Sequence, residues 1–348
     1  VSIQSEITQA IQSFYSPEEY PCLKDQIEVF AREQPFVGKS VLYAAPLTRN
    51  TQVALLPVVA GEADITLSWP DIVEPDKAVV ALMKRLGIHF YQQVPSNQSF
   101  DLIFDCCGKY ADYSASLGHI ELTRSGLEKY LSQSNTVCLD VDSTVIKSIE
   151  TTLGTGESLV RAMKHAGFTE LAGKRILLFG YGKVGQGICR ALLAEQANVD
   201  IVELQPGLSP EQSCFIDGSD QALVTEAVQK ADFVITATGI KSVIENHYPV
   251  SEFINSSAKL INMGGEDEYG EAFPADTVLN GKHTFNFILD DPTLMKFIDP
   301  IFALYNECGK LLTQQSYSLG VHLPPDQTVM SVAGRFCQAH GIDMSEWV

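Results

Sequence analysis

The chain is poor in positive charge: 24 Lys and Arg stand against 43 Asp and Glu, a formal net charge of −19 over 348 residues. A surface that acidic repels a phosphate backbone and argues against nucleic acid as a partner. A small anion is still permitted, because backbone N–H groups can hold one in a local pocket. No uninterrupted apolar run approaches the roughly 20 residues that a membrane helix needs, so no membrane association is expected. Residues 1–20 carry Glu6, Glu18 and Glu19 and no basic stretch, so no signal peptide is expected. The eight cysteines (Cys22, Cys106, Cys107, Cys138, Cys189, Cys214, Cys308 and Cys337) form no CxxC pair. They read as reduced, mostly buried thiols of a cytoplasmic protein, with neither a disulfide framework nor a metal site. Internal repeats and low-complexity tracts are missing too, and 45% hydrophobic with 19% charged residues is globular composition.

What is present is length and alternation. A chain of 348 residues exceeds the roughly 250–300 at which single cores stop growing, so two domains are expected. After a helical start, strands are expected over 39–45, 63–69, 88–92, 102–106 and 137–141. Helices are expected over 51–61, 75–86 and 126–133. A second alternation follows, with helices over 157–166 and 184–193 and strands over 174–179, 199–203, 233–237 and 259–262. The tail reads as one long helix and a small terminal one. Alternating strands and helices indicate βαβ units and parallel sheets. The expected fold is therefore α/β in two parallel-sheet units, 1–155 and 156–291, with a C-terminal segment (292–348) packing back on the first.

Gly180-Tyr181-Gly182-Lys183-Val184-Gly185 sits between an apolar strand and a helix, the context that gives a GxGxxG motif meaning. The first glycine permits the tight turn, the second lets a pyrophosphate approach the backbone, and the third allows helix to pack on strand. The next strand ends in Glu203, whose carboxylate suits both hydroxyls of an adenine ribose and repels a 2′-phosphate, so NAD is expected rather than NADP. Thr236-Ala237-Thr238-Gly239 and Asn262-Met263-Gly264-Gly265 follow later strands at their carboxyl ends, where ligands sit in open α/β sheets. Either is also compatible with an ordinary turn.

The segment from Gly173 to Glu203 resembles the NAD domain of the adenosylhomocysteinase family, and the likeness extends beyond it. Asp142-Ser143-Thr144-Val145-Ile146-Lys147-Ser148 followed by Glu157-Ser158-Leu159 is similar to the family's NDSVTKS…ESL. Asp101-Leu102-Ile103-Phe104-Asp105-Cys106-Cys107-Gly108 resembles MILDDGG, and Leu122-Thr123-Arg124-Ser125-Gly126 resembles ETTTG. Thr236 to Gly239 matches TTTG, and Asn262-Met263-Gly264-Gly265 matches NIGH. The resemblance implies the two-domain fold shared with formate dehydrogenase: a parallel-sheet α/β substrate domain (1–155), a Rossmann NAD-binding domain (156–291) and C-terminal helices (292–348) returning to the substrate domain. It implies NAD held by Gly180, Gly182, Lys183, Val184, Gly185, Glu203, Thr236, Ala237, Thr238, Gly239, Asn262 and Thr123, and a homodimer. It also implies redox-cycled hydrolysis, in which a ribose hydroxyl is oxidised, an acidified proton is removed, a thiol leaves, water adds and the hydride returns. That chemistry needs tuned acid and base groups and a lysine near neutrality.

Several of the family's catalytic positions are altered. Pro46 stands for the histidine of HMT, Cys106 for the second aspartate of MILDDGG, and Leu122 for the glutamate of ETTTG, with Glu121 one residue earlier. Gly265 stands for the histidine of NIGH and Asp291 for that of GHPS. Glu150 replaces the aspartate after the lysine, across a one-residue deletion, while Lys147 is retained. The carboxyl-terminal Lys…Tyr tail that caps NAD in a neighbouring protomer has no counterpart in Gly341 to Val348. Proline and glycine carry no titratable group, so efficient hydrolysis of S-adenosylhomocysteine is not expected.

The remaining catalytic candidates are Lys147 as proton acceptor, Cys106 as a cleft-facing or merely buried thiol, and Asp105, Asp142, Glu121 and Glu150. These four are acid/base or substrate-binding carboxylates, or helix caps. Of the histidines only His119, near Glu121, is a candidate. Three readings follow: an NAD-dependent oxidoreductase or redox-cycled hydrolase acting on an altered small molecule (a nucleoside or amino-acid derivative), an inactive NAD-binding paralogue with a regulatory role, or a true adenosylhomocysteinase with a rearranged site. The intact cofactor fingerprint favours the first.

Overall fold

The computed structural model describes residues 2–71, 74–133, 135–204 and 214–346. Trp347 and Val348, at the end of the tail compared above, lie outside them. The chain divides into two compact units, Val1–Glu150 with Leu294–Val348, and Thr151–Thr293.

The first unit begins with helices α1 (Ile3–Ile11) and α2 (Pro21–Glu33), followed by β1 (Ser40–Ala44), α3 (Arg49–Ala60), β2 (Asp64–Ser68), α4 (Lys77–Arg85), β3 (His89–Phe90), β4 (Phe100–Asp105), β5 (Ala115–Glu121), α5 (Arg124–Leu131), β6 (Val137–Asp140) and α6 (Val145–Ile149). Helix starts follow local chemistry: the side chains of Asp76, Thr123 and Thr144 accept N–H groups of the first turns of α4, α5 and α6. β1 and β4 are apolar on both faces, which suits parallel strands covered on both sides.

The second unit contains α7 (Gly156–His165), β7 (Arg175–Phe179), α8 (Lys183–Ala194), β8 (Asn198–Glu203), β9 (Cys214–Asp217), α9 (Gln221–Lys230), β10 (Phe233–Thr236), α10 (Val243–His247), α11 (Val250–Ile254) and β11 (Lys259–Asn262). Its sheet has the order β11-β10-β7-β8-β9, with every pair parallel. Strand order reverses between β7 and β10, so the crevice for a ligand lies at their carboxyl ends.

The chain then returns to the first unit with α12 (Met295–Gln314), β12 (Gly320–His322) and α13 (Asp326–His340). The sheet there has the order β12-β6-β5-β4-β1-β2-β3, also parallel throughout, and reverses between β1 and β4. α12 docks through aromatic contacts, Tyr305 meeting Phe104 edge-on with centroids 5.0 Å apart. It also supplies buried Asp299, whose carboxylate accepts the N–H groups of Cys22 and Leu23 at 2.9 Å each, at the start of α2.

The structure corrects the sequence-based expectation in four places. β5 and β12 are strands of the first sheet, and β9 with α9 extends the second. The last helix, α13, runs 15 residues instead of being a small terminal one. β5 escapes notice because its first half is Ala115-Ser116-Leu117-Gly118, and β12 because three residues give no pattern.

Candidate functional site

In the second unit the crevice is lined by Gly180, Tyr181, Gly182, Glu203, Ala237 and Thr238, together with Ile240, His247 and Tyr248. The fingerprint geometry is explicit. Gly180 has φ +93°, and a Cβ there would lie 2.6 Å from the Ala237 carbonyl oxygen. A Cβ on Gly185 would lie 2.1 Å from the Gly180 oxygen, whereas one on Gly182 would meet nothing within 4 Å. The loop is thus shut where helix meets strand and open where a pyrophosphate would approach. Gly182 caps α8 with no side-chain acceptor, so the first-turn N–H groups and the helix dipole face that opening. Lys183, Val184 and Gly185 form that first turn.

Glu203 is fixed by the N–H groups of Tyr181 (2.9 Å) and Leu204 (2.8 Å), which hold its carboxylate at the cavity wall. These residues fit a dinucleotide. Glu203→Ala is expected to weaken NAD binding about 10- to 100-fold, the worth of one or two hydrogen bonds to a charged acceptor. It should also narrow the preference for NAD over NADP, and titration of both cofactors checks it; unchanged affinity and preference would remove Glu203 from the ribose.

The two later loops are braced from within. Thr236 Oγ1 donates to Asn262 Oδ1 (3.1 Å), which also accepts the Gly264 N–H. The Asn262 amide donates to the carbonyls of Glu266 and Lys282 at 2.7 Å each. Both ends of the Asn262 side chain are therefore spent on the loop. Buried Glu268 accepts the N–H and hydroxyl of Thr238 (2.9 and 2.8 Å) and the N–H of Gly239 (2.6 Å). Burial pushes its carboxyl up against those bonds. Sequence reading missed Glu268, since Glu266-Asp267-Glu268 looks like a solvated turn.

In the first unit the carboxyl ends of β1, β4, β5 and β6 gather the other candidates. Asp105 pairs in register with Glu121, and Glu121 with Asp140, so three buried carboxylates stand in a row across the sheet end. Asp105 accepts the Cys106 and Tyr110 N–H groups and the Tyr130 hydroxyl (2.7 Å). Glu121 accepts the N–H groups of Cys107, Gly108 and Thr123 and the Thr123 hydroxyl (2.6 Å). Burial pushes Asp105 up to about 6, against its hydrogen bonds. Burial and the neighbouring Asp105 push Glu121 to about 8. Both carboxylates act as clamps on the loop after β4. Thr123, assigned to the cofactor by resemblance, caps α5 and takes the Cys107 N–H at 2.9 Å.

Cys106 is buried and Cys107 half-buried. His119 is a core residue: its ring nitrogens meet Thr136 Oγ1 (2.8 Å) and the Tyr113 carbonyl (3.0 Å), and burial lowers it to about 4. Lys147, half-buried on α6, pairs with Glu150 Oε2 at 2.8 Å. Burial alone would lower the ammonium's pKa, but the Glu150 and Asp142 carboxylates outweigh it and the net shift is upward. The lysine is therefore held charged, opposite to the near-neutral lysine that the resemblance implies. Sequence reading missed Tyr130, which orients Asp105 from α5, because an aromatic in a helix reads as core.

Residues 151–271 match the family described as S-adenosyl-L-homocysteine hydrolase, NAD binding domain. An adenosylhomocysteinase of Thermoplasma acidophilum is 25% identical over 260 residues, 66% of this chain and 63% of that protein. An S-inosyl-L-homocysteine hydrolase of Methanopyrus kandleri is 25% identical over 281 residues, 73% of this chain and 65% of that one. The chain thus spans 63% to 65% of the length of these relatives. Among solved structures, a dipicolinate synthase chain from Bacillus halodurans superimposes with a TM-score of 0.46 at 15% identity, covering 80% of this chain and 98% of that one. The chain is thus similar to adenosylhomocysteinases over about two thirds of its length, and residues 151–271, in its second unit, match their NAD-binding domain.

Proposed function

We propose that the chain is an NAD-dependent enzyme that oxidises a hydroxyl or amine of a nucleoside or amino-acid derivative, and is not an efficient hydrolase of S-adenosylhomocysteine. The observation that carries this is the Lys147–Glu150 pair at 2.8 Å, kept in a chain whose dinucleotide cradle is intact. Pro46, Cys106, Gly265 and Asp291 meanwhile stand where the resemblance places imidazoles and a carboxylate. The two relatives at equal identity carry names for different nucleosides, adenosyl and inosyl, which supports variation of substrate on this plan.

NAD, when bound, supplies a hydride acceptor. Gly180, Gly182 and the first turn of α8 would hold its pyrophosphate, and Glu203 would take the ribose hydroxyls. Lys147 passes one proton of its ammonium to Glu150, and the amine so formed takes the proton of the hydroxyl or amine being oxidised, so the pair is the proton acceptor and the lysine ends charged again. We further place the chain in the cytoplasm as a homodimer.

Calorimetry with adenosine, alongside the redox state of the co-purified cofactor, tests this. Nucleoside binding with a mixture of NAD and NADH is the expected result. A chain that holds only oxidised NAD and reduces none of it with nucleosides or amino-acid derivatives would be an inactive paralogue, and the enzyme reading falls.

A further inference from the structure

Cys106 and Cys107 are adjacent in sequence, and their sulfurs lie 3.9 Å apart at the carboxyl end of β4. The chain turns sharply there: Cys107 has φ +62° and Gly108 φ +59°, a left-handed pair in which a non-glycine residue is uncommon. The conformation is held by the clamps already described. Glu121 takes the Cys107 and Gly108 N–H groups, Asp105 takes that of Cys106, and Lys129 Nζ donates to the Cys107 carbonyl at 2.8 Å. The turn therefore keeps both side chains on one side of the loop, with Cys106 buried and Cys107 half-buried.

We infer that Cys106 and Cys107 form a vicinal dithiol that a hydroperoxide oxidises reversibly to a disulfide between neighbouring residues. The two thiols are unequal, as the chemistry needs. Hydrogen bonds from the Cys106 thiol and the Ser125 hydroxyl lower Cys107 to about 7, whereas the same contact and burial raise Cys106. Cys107 is thus the nucleophile and Cys106 the resolving thiol.

In the first step the Cys107 thiolate attacks one oxygen of the hydroperoxide. The S–O bond forms, the O–O bond breaks, and the alkoxide or hydroxide leaves and takes a proton. In the second step Cys106 loses its proton and its sulfur attacks Cys107 Sγ. The S–S bond forms and the S–O bond breaks, and the hydroxide leaves as water. Two thiols lose two electrons, and the hydroperoxide becomes an alcohol (or water) and one further water. Adjacent Cα atoms lie about 3.8 Å apart, shorter than the usual 4.4–6.8 Å of a disulfide. Such a bond is strained, so it reopens with mild dithiol reductants and does not persist as a structural link.

The full-length protein, treated with one equivalent of hydrogen peroxide, alkylated and digested, gives the test by mass spectrometry. The expected product is the Cys106–Cys107 peptide lighter by two hydrogens and closed to alkylation, restored by dithiothreitol. C106S should divert Cys107 to a sulfenic acid trapped by dimedone, and C107S should leave Cys106 reduced. The inference is overturned if both cysteines stay alkylatable, if Cys107 in the unaltered protein proceeds to sulfinic acid without closing, or if C107S forms an oxidised product at Cys106 at the original rate. Because both serine variants are compared by chemical product and each is checked for an unchanged melting temperature, misfolding cannot imitate the result.

Discussion

Gly185→Ala is expected to destabilise the second unit severely, while Gly182→Ala leaves it folded and weakens dinucleotide binding. The two glycines belong to one motif but face different atoms. At 185 an added methyl would sit 2.1 Å from the Gly180 carbonyl oxygen, a backbone atom fixed by the turn, so α8 must lift off β7. Overpacking of this kind costs typically 1–3 kcal/mol, more where backbone cannot yield, and each kcal/mol lowers the melting temperature of a domain this size by roughly 2–4 °C.

At 182 the backbone has φ −71° and ψ −166°, which any residue adopts, and the methyl meets nothing within 4 Å. Loss of a glycine cap costs at most about 1 kcal/mol. The empty space is the approach of the pyrophosphate, so NAD affinity falls by roughly 100-fold, the equivalent of about 3 kcal/mol of overpacking. Melting curves with and without NAD separate the two effects. If Gly182→Ala keeps a full NAD-induced shift, the open space is not the pyrophosphate approach.

That contrast marks what sequence shows and what it hides. The GxGxxG spacing, the apolar strand before it and the acidic residue after it follow from local chemistry, so β7, β8, β10 and β11 were legible to within a residue, whereas β9 was not. The carboxylates were legible as residues but not in their roles. Asp105 and Glu121 lie sixteen positions apart and become neighbours only through the β4–β5 register, and β5 itself carried no periodic signal. Once paired, they spend their oxygens on backbone N–H groups, which no motif announces. Asn262 shows the same limit, since a matched loop residue turned out to brace its own turn from both ends. The register at Glu150 was blurred for a physical reason: the chain runs through a π-helical turn from Glu150 to Thr155, where the wider winding shifts side-chain direction relative to an α-helix.

Lys147→Met is expected to lower reduction of bound NAD by about 10²–10⁴-fold, the usual worth of a positioned acid/base group, with NAD affinity unchanged because every residue of the dinucleotide cradle lies in the other unit. Removing the ammonium also takes the counter-charge from Glu150, a buried carboxylate, and breaking such a pair by one partner is costly. Lys147→Met combined with Glu150→Gln restores a neutral pair and should recover the melting temperature without recovering activity. Lys147→Arg separates charge from proton transfer. A guanidinium keeps the charge but cannot release a proton, so activity stays low if the pair carries the proton and returns if only the charge matters.

The pH dependence has a definite sign. The folded-state pKa of Lys147 is raised, so its contribution to stability is fully present below the unfolded lysine value and is lost as pH rises through the folded one. In Glu150→Gln the largest opposing charge is gone and burial pulls the lysine down, so the alkaline limb of stability moves to lower pH. A limb that stays in place, or moves upward, would show that Glu150 does not hold the lysine's proton, and the proton route through the pair would have to be abandoned.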